Sequence, residues 1–292
     1  MTMCRWTRAV LAIACAAVAA APAHAQQADQ ESPDPHAAQP ERPTVATHAG
    51  TVAPGWTEIE MGVERDRYED ATHGGQAPIL LKVGLAPRLQ LSLQAFGVVA
   101  PGGTGQGIGD SSIGVKWRFA EHTRAGGNLA VLPSIKFPTG SLAKGTGTGT
   151  TDVGLLLISS RTIKGVAIDL NVGYTRRSRA TADTPRDAAV WTASFSGQPW
   201  GPVGWTAEMF GYPALQSGSE SIVALLFGPT WEVRSFLVLD TGVIAPLTGP
   251  QPRALYAGVT WNIGKLWSAP VPTASSSARS ILPRTAGRHA AD

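Results

Sequence analysis

The feature that most constrains this chain is an alternation of apolar and polar residues with a period of two, which recurs along most of its length. Residues 88–95 read RLQLSLQA, so the leucines occupy one face of an extended strand and the polar side chains occupy the other. An α-helix would instead repeat its apolar residues every 3.6 positions. The alternation therefore predicts an all-β fold whose strands separate two environments.

The alternating segments predict twelve strands, most of them about ten residues long. A tilted membrane-spanning strand needs roughly 9–11 residues, whereas strands of soluble proteins average about 5–6. Odd-numbered connections, such as residues 138–150, are mostly longer than even-numbered ones, such as residues 86–87. Long external loops alternating with short periplasmic turns predict an antiparallel up-and-down transmembrane β-barrel of about 12 strands. The alternative is a soluble periplasmic β-sandwich. The predicted strands are 56–67, 77–86, 88–98, 111–120, 127–137, 151–160, 164–175, 188–197, 203–212, 220–229, 233–244 and 254–264.

Aromatic residues cluster near the predicted strand ends, as expected of the two interfacial girdles of an outer-membrane barrel. An alternative explanation is that aromatic residues simply favour strands. The periplasmic group is Trp56, Trp117, Phe119, Trp205, Trp231 and Trp261; the external group is Tyr68, Phe96, Phe137, Tyr174, Phe210, Tyr212 and Tyr256.

The two ends of the chain differ in composition from the alternating region between them. Residues 1–25 combine a basic start, an apolar stretch and the cleavage pattern Ala-His-Ala, which predicts a secretory signal peptide. Residues 26–54 are polar and rich in proline, and predict a flexible periplasmic leader. Residues 55–267 are the predicted barrel, and residues 268–292 a flexible C-terminal tail. The only cysteines, Cys4 and Cys15, lie in the predicted signal peptide, so the mature chain offers no thiol chemistry.

Chemistry-bearing constellations are sparse in this sequence. No G-x-S-x-G or H-x-x-E-H pattern occurs, and the glycine-rich stretches lack the Gly-Lys-Ser/Thr ending of a phosphate-binding loop. His73 and His122 fall in a predicted loop and a predicted turn. The formal net charge is only +3, and no basic stripe is interleaved with aromatic residues, so nucleic acid is not a predicted partner. We predict neither an enzyme nor a metal or other cofactor.

The polar face of the predicted strands carries charges of both signs, which would line the barrel lumen either as a packed plug or as a narrow polar path. The predicted lumen-lining residues are Arg88, Gln90, Ser92, Gln94, Lys116, Arg118, Lys136, Asp152, Asp169, Asn171 and Glu208.

Several turn and strand motifs stand out within the predicted barrel. They are residues 107–110 leading into 115–119, 132–140, 149–154, 171–174, 228–229 and 240–243. Together these motifs resemble an outer-membrane family associated with the meta-cleavage pathway of phenol degradation. This resemblance implies an outer-membrane barrel that passes aromatic or other small hydrophobic compounds, and it brings no catalytic residues.

The predicted function is an outer-membrane channel or transporter for small molecules. Two alternatives are a plugged structural or binding barrel that acts through its loops, and a lipid-modifying enzyme. The predicted partners are outer-membrane lipid, lipopolysaccharide, the outer-membrane assembly machinery and a small-molecule solute. We expect the protein to reach the outer membrane of a Gram-negative cell after cleavage of its signal peptide.

Overall fold

The computed structural model describes residues 34–124, 127–180, 185–216 and 220–268. Twelve long strands form the barrel, and a thirteenth, β4, is only three residues long. The strands are β1 (Trp56–Arg67), β2 (His73–Ala86), β3 (Leu89–Val99), β4 (Gln106–Ile108), β5 (Ser111–Thr123), β6 (Gly127–Phe137), β7 (Asp152–Ile163), β8 (Val166–Arg177), β9 (Asp187–Trp200), β10 (Val203–Tyr212), β11 (Ile222–Arg234), β12 (Leu237–Thr248) and β13 (Arg253–Lys265).

Each long strand pairs antiparallel with its neighbours in chain order, and β1 pairs with β13 to close the barrel. The predicted antiparallel barrel of about 12 strands is therefore confirmed. The short β4 pairs only with the end of β3, inside the loop before β5. It was not predicted because three residues are too few for an alternating pattern to register.

The two ends of the barrel differ in their connections. At one end, which we call the tight-turn end, β7 and β8 are joined by only Lys164 and Gly165, and both have positive φ. Such residues form hairpin turns whose twist matches that of the flanking strands. At the other end, the long-loop end, residues 138–151 and 178–186 connect the strands. This division follows the predicted alternation of connection lengths.

The outer surface of the barrel is apolar, the reverse of a water-soluble protein. Val63, Val172 and Leu255 are all more than 60% exposed, and similar residues alternate with buried polar side chains along most strands. Exposed apolar surface on this scale marks contact with a membrane or a partner. Among the described residues, no helix is long and apolar enough to cross a membrane.

The predicted aromatic girdles are only partly present. Trp117, Trp231 and Trp261 are exposed near the tight-turn end. Phe210 and Tyr256, assigned to the external girdle, are buried, because each occupies the same face of its strand as the inward-facing residues beside it. Trp205 is also buried and is not part of the periplasmic girdle. Proximity to a strand end does not decide which face a side chain occupies.

The prediction of a flexible leader is wrong for residues 34–54, which lie folded inside the barrel. The segment has too few large apolar residues to build a core of its own. It is ordered because polar side chains of the barrel lumen accept and donate its backbone hydrogen bonds. Residues 26–33, the predicted signal peptide and residues 269–292 lie outside the described residues.

Candidate functional site: the barrel lumen and its N-terminal plug

Residues 34–54, which we call the N-terminal plug, enter the lumen from the tight-turn end. At the base, the His36 ring stacks on Phe236 at a centroid distance of 4.7 Å and lies 5.0 Å from the Trp56 ring. Its Nε2 is 3.0 Å from the backbone oxygen of Asn262. Farther in, Ala49 and Val52 have no exposed surface. The inner part of the plug is therefore fully buried, whereas other residues of it, such as Val45, keep exposed surface.

The plug backbone is bound by side chains near the middle of the barrel. Both carboxylate oxygens of Glu208 accept hydrogen bonds, one from the N–H of Val45 at 2.8 Å and the other from the N–H of Ala46 at 2.7 Å. The Asn171 amide accepts from the N–H of Thr47 at 2.8 Å and donates to the carbonyl of the same residue at 3.0 Å. These side chains replace the neighbouring strand that an extended segment would otherwise pair with.

The same pattern holds on other walls of the lumen. The Ser160 hydroxyl accepts from the N–H of Ala49 at 2.7 Å, and the Gln90 amide oxygen accepts from the N–H of Val52 at 2.9 Å. Ala49 also packs with the buried Ala130 and Ile158. The plug thus contacts strands from around the circumference of the barrel rather than lying along one wall.

A buried cluster of five charged groups lies between the plug and strands β1, β2 and β5. Lys82 Nζ is 2.6 Å from Glu58 and 2.5 Å from Glu60, and Lys116 Nζ is 2.5 Å from Glu41 of the plug. Both lysine side chains are fully buried. Burial alone would raise the pKa of Glu41, but Lys116 and Lys82 hold that pKa well below its usual range. Glu41 therefore stays ionised and completes the ion pairing of Lys116 only while the plug is in place.

Arg42 of the plug occupies a slot made by two glycines. Gly62 of β1 and Gly258 of β13 are paired across the strands, and a Cβ at either position would lie 2.4 Å from a guanidinium atom. Arg42 also approaches Asp240 at 3.4 Å. Any larger residue at either position would fill this slot, so glycine at both positions leaves the room that the arginine side chain occupies.

Beyond the plug, toward the long-loop end, lies a polar cavity of about 560 Å³. Lys136 Nζ lies 2.6 Å from Asp110 and 3.1 Å from Asp152 at its wall, and Arg177 Nε lies 3.6 Å from Asp152. Burial would raise the pKa of Asp110, but hydrogen bonds from Lys136, Thr148 and the backbone of Gly140 hold it below its usual value. Asp110 thereby ties the loop of residues 138–151 to the barrel mouth.

The opposite wall, formed by β10–β13, is apolar. Phe210 and Tyr256 are its largest members, and Phe210 packs edge-on against Tyr212 with ring centroids 6.0 Å apart. The charged groups around the cavity and this apolar cluster therefore lie on different strands of the inner wall. The apolar cluster comprises Phe210, Ala224, Leu226, Ile244, Ala254 and Tyr256.

Most of the predicted lumen-lining residues lie at the inner wall. Three of them, Gln94, Lys136 and Asp152, line the polar cavity, and Asp169 accepts a 2.5 Å hydrogen bond from Ser160. Arg88 is the exception: it lies in the turn after β2 with φ of 67°, half exposed, and pairs with Glu121. The buried residues of the set are Gln90, Ser92, Lys116, Arg118, Asp152, Asn171 and Glu208.

Sequence reasoning missed several inward-facing residues. Glu58 and Glu60 alternate with Ile59 and Met61, and Lys82 lies between Leu81 and Val83, so the period-two pattern already marked them. No comparable pattern in the sequence indicated that residues 34–54 form a plug. In the described parts of the chain, no group of three or more His, Cys, Asp or Glu residues could hold a metal ion.

Comparison with known proteins identifies the family to which this chain belongs. Among curated proteins, none matches the chain. The fold is similar to the COG4313 outer membrane channel from Pseudomonas putida F1, with a TM-score of 0.56 and 12% identity over 73% of this chain and 97% of that one. It is also similar to the NanC porin, with a TM-score of 0.52 and 7% identity over 70% of this chain and 98% of that one. Residues 41–218 match the model of the family described as "Putative MetA-pathway of phenol degradation". This chain, folded as an outer-membrane β-barrel, belongs to that family.

Proposed function

We propose that the protein is an outer-membrane channel for small molecules, held closed by its N-terminal plug. The observation that carries the proposal is that the plug is bound to the lumen entirely by hydrogen bonds, ion pairs and packing among the described residues. The lumen groups that hydrogen-bond to the plug or form ion pairs with it are polar side chains that water would solvate after release. The wall that remains is a path lined by polar groups.

The proposed solutes are small aromatic or hydrophobic molecules that also carry a polar group. Two surfaces of the outer lumen support this choice: the aromatic wall of Phe210 and Tyr256, and the charged wall of Lys136 and Arg177. With the plug released, a molecule with a ring and an acidic group would meet apolar side chains on β10–β13 and basic side chains on the strands that carry Lys136 and Arg177. The phenol-degradation description of the family points to the same solute class.

The cellular setting completes the proposal. Residues 1–25 act as a cleaved signal peptide, the tight-turn end faces the periplasm, and the long loops face outward. The barrel is inserted by the outer-membrane assembly machinery and is surrounded by lipid and lipopolysaccharide. It is not an enzyme in this proposal: His73 begins β2 at the long-loop end, whereas His122 lies near the tight-turn end, so the two cannot act on one substrate.

The test is solute flux into liposomes that contain the full-length mature protein. Benzoate is a suitable probe because it combines a ring with an acidic group, and glucose is a comparison solute of similar size. Entry into protein-free liposomes is subtracted, because the neutral form of benzoic acid crosses lipid unaided. We expect benzoate to enter faster than glucose, and Phe210→Ala to remove this preference while leaving ion conductance unchanged. Leu247→Ala, an exposed position outside the apolar cluster, is the matched control.

The structure also provides a reason to consider a permanently plugged barrel that acts through its loops, since the plug fills the lumen at mid-height. In that case no solute would enter liposomes even after the plug contacts are weakened by substitution. Deletion of residues 141–150 would then abolish the biological function without changing permeability. Flux through any variant with a weakened plug excludes this alternative.

A further inference from the structure

A row of basic residues lies on the outside of the barrel at the long-loop end. Arg67 of β1 is paired directly with Arg253 of β13 on one side and with His73 of β2 on the other. Arg65 precedes Arg67 by two residues and so shares its face. All four side chains are exposed. Like charges placed directly opposite each other on neighbouring strands are destabilising unless something neutralises them.

No direct ion pair within the described residues performs that neutralisation, since none joins a carboxylate to any of the three arginines. The outward-facing positions of β1, β2 and β13 contain no Asp or Glu. Glu69 and Asp70 lie in the adjoining loop and Asp66 is buried, but none of them is ion-paired to these arginines. The arginines therefore keep their guanidinium groups available to an anion from the surroundings.

Immediately below the basic row the surface becomes apolar. A groove of about 660 Å³ runs between the arginines and residues such as Val243 and Leu255, which are exposed. Guanidinium groups above an apolar groove match an amphiphile with an anionic headgroup and hydrocarbon chains. Arginine is the side chain best suited to phosphate, because its planar fork donates two parallel hydrogen bonds.

The number of charges in the row narrows the choice of lipid. Arg65 and Arg67 on β1 and Arg253 on the neighbouring β13 bring three guanidinium groups together, more positive charge than the single phosphate of a phospholipid neutralises. We propose that this patch binds a lipid A molecule of lipopolysaccharide, its phosphates on Arg65, Arg67 and Arg253 and its acyl chains along the groove. The proposal rests on the outer-membrane placement and on the orientation given under the proposed function, and not on solute passage.

The test is binding of lipid A to the detergent-solubilised full-length protein, measured by thermophoresis. We expect the triple variant Arg65→Gln, Arg67→Gln, Arg253→Gln to bind bisphosphorylated lipid A at least about tenfold more weakly than the native protein. The matched control changes three exposed arginines at the tight-turn end, Arg124, Arg161 and Arg234, to glutamine, which alters the net charge equally. We expect this control to bind as the native protein does.

Three results would overturn the proposal. In the first, the triple variant binds lipid A as tightly as the native protein does. In the second, the control variant loses as much affinity as the triple variant. In the third, the native protein binds dephosphorylated lipid A as tightly as the phosphorylated form. Equal affinity for phosphatidylglycerol would also reject it, since the patch would then recognise any anionic lipid. Ion conductance of the triple variant is measured in parallel and is expected to be unchanged, so failure of lipid binding stays distinct from failure of the channel proposal.

Discussion

Replacing Glu41 with glutamine should open the channel, because this substitution acts on the plug and leaves the barrel wall intact. Glu41 is the carboxylate that pairs with the fully buried Lys116 at 2.5 Å. In the variant, the closed state retains an ammonium under the plug without a carboxylate to balance its charge, and its hydrogen-bond partners are neutral: the amide oxygen of the introduced glutamine, the His48 carbonyl at 3.0 Å and the Thr47 hydroxyl at 3.4 Å. In the released state the same ammonium is hydrated.

The size of the effect follows from this difference. Breaking a buried ion pair by removing one partner costs about 3–5 kcal/mol, because the remaining charge is left uncompensated. At about 1.4 kcal/mol for each factor of ten, the equilibrium between the closed and released plug should shift by roughly two to three orders of magnitude. Lys82 keeps Glu58 and Glu60 as partners, so the barrel wall does not acquire a second unpaired charge.

The assay is single-channel recording in planar bilayers, with open probability as the readout. Glu121→Gln is the matched control: it also removes an ion-paired carboxylate near the tight-turn end, but that carboxylate pairs with Arg88 and Arg118 rather than with the plug. We expect Glu41→Gln to be open far more often than the native protein, and Glu121→Gln to behave as the native protein does. If Glu41→Gln keeps the native open probability while folding normally on heat-modifiable gels, the closing role of this ion pair is refuted.

Three further predictions concern other parts of the lumen. Gly258→Ala places a Cβ 2.4 Å from the Arg42 guanidinium and should raise the open probability, whereas Gly97→Ala, which meets only ordinary contacts, should not. Burial and the nearby Lys116 lower the pKa of His48 to about 3. The closed state therefore binds His48 in its neutral form, whereas the released ring would take up a proton below its ordinary pKa of 6.5. Acidification from pH 7.5 to 5 should weaken closure by about 2 kcal/mol. In the same bilayers, the open probability of His48→Gln should depend less on pH. Asp110→Ala removes the acceptor of the Lys136 and Thr148 hydrogen bonds and should speed tryptic cleavage after Lys144 about tenfold. Unchanged cleavage would show that other contacts hold the loop.

The barrel could be predicted from the sequence because its strands repeat one physical rule over and over. A wall with lipid on one side and polar groups on the other demands alternation, so most strand bounds fall within a few residues of those predicted. Phe210 and Tyr256 do not belong to the external girdle, although both lie near a strand end. Their places in the apolar–polar alternation put them on the inward face of their strands. Arg88 was predicted to line the lumen, but it lies in the turn just before β3, where the alternation of strand faces does not yet apply.

The N-terminal plug could not be predicted from local composition. Residues 34–54 resemble a disordered segment because they carry few apolar side chains, and the alternation rule does not apply to them. Their order comes from partners distant in sequence, such as Glu208, which lies 163 residues from Val45. A backbone that satisfies its hydrogen bonds on side chains of other strands leaves no pattern in its own sequence.

The most direct test of the account is a reversible lock between the plug and the barrel. Ala49 of the plug and Ala130 of β6 are buried in one small cluster, and the predicted mature chain contains no cysteine, so Ala49→Cys, Ala130→Cys introduces a single cysteine pair. Benzoate flux into liposomes is then measured with the variant oxidised and again after reduction. We expect flux above that of protein-free liposomes from the reduced protein, and none above it while the disulfide is closed. Equal flux in both states, with the disulfide formed quantitatively in the oxidised sample, would contradict it.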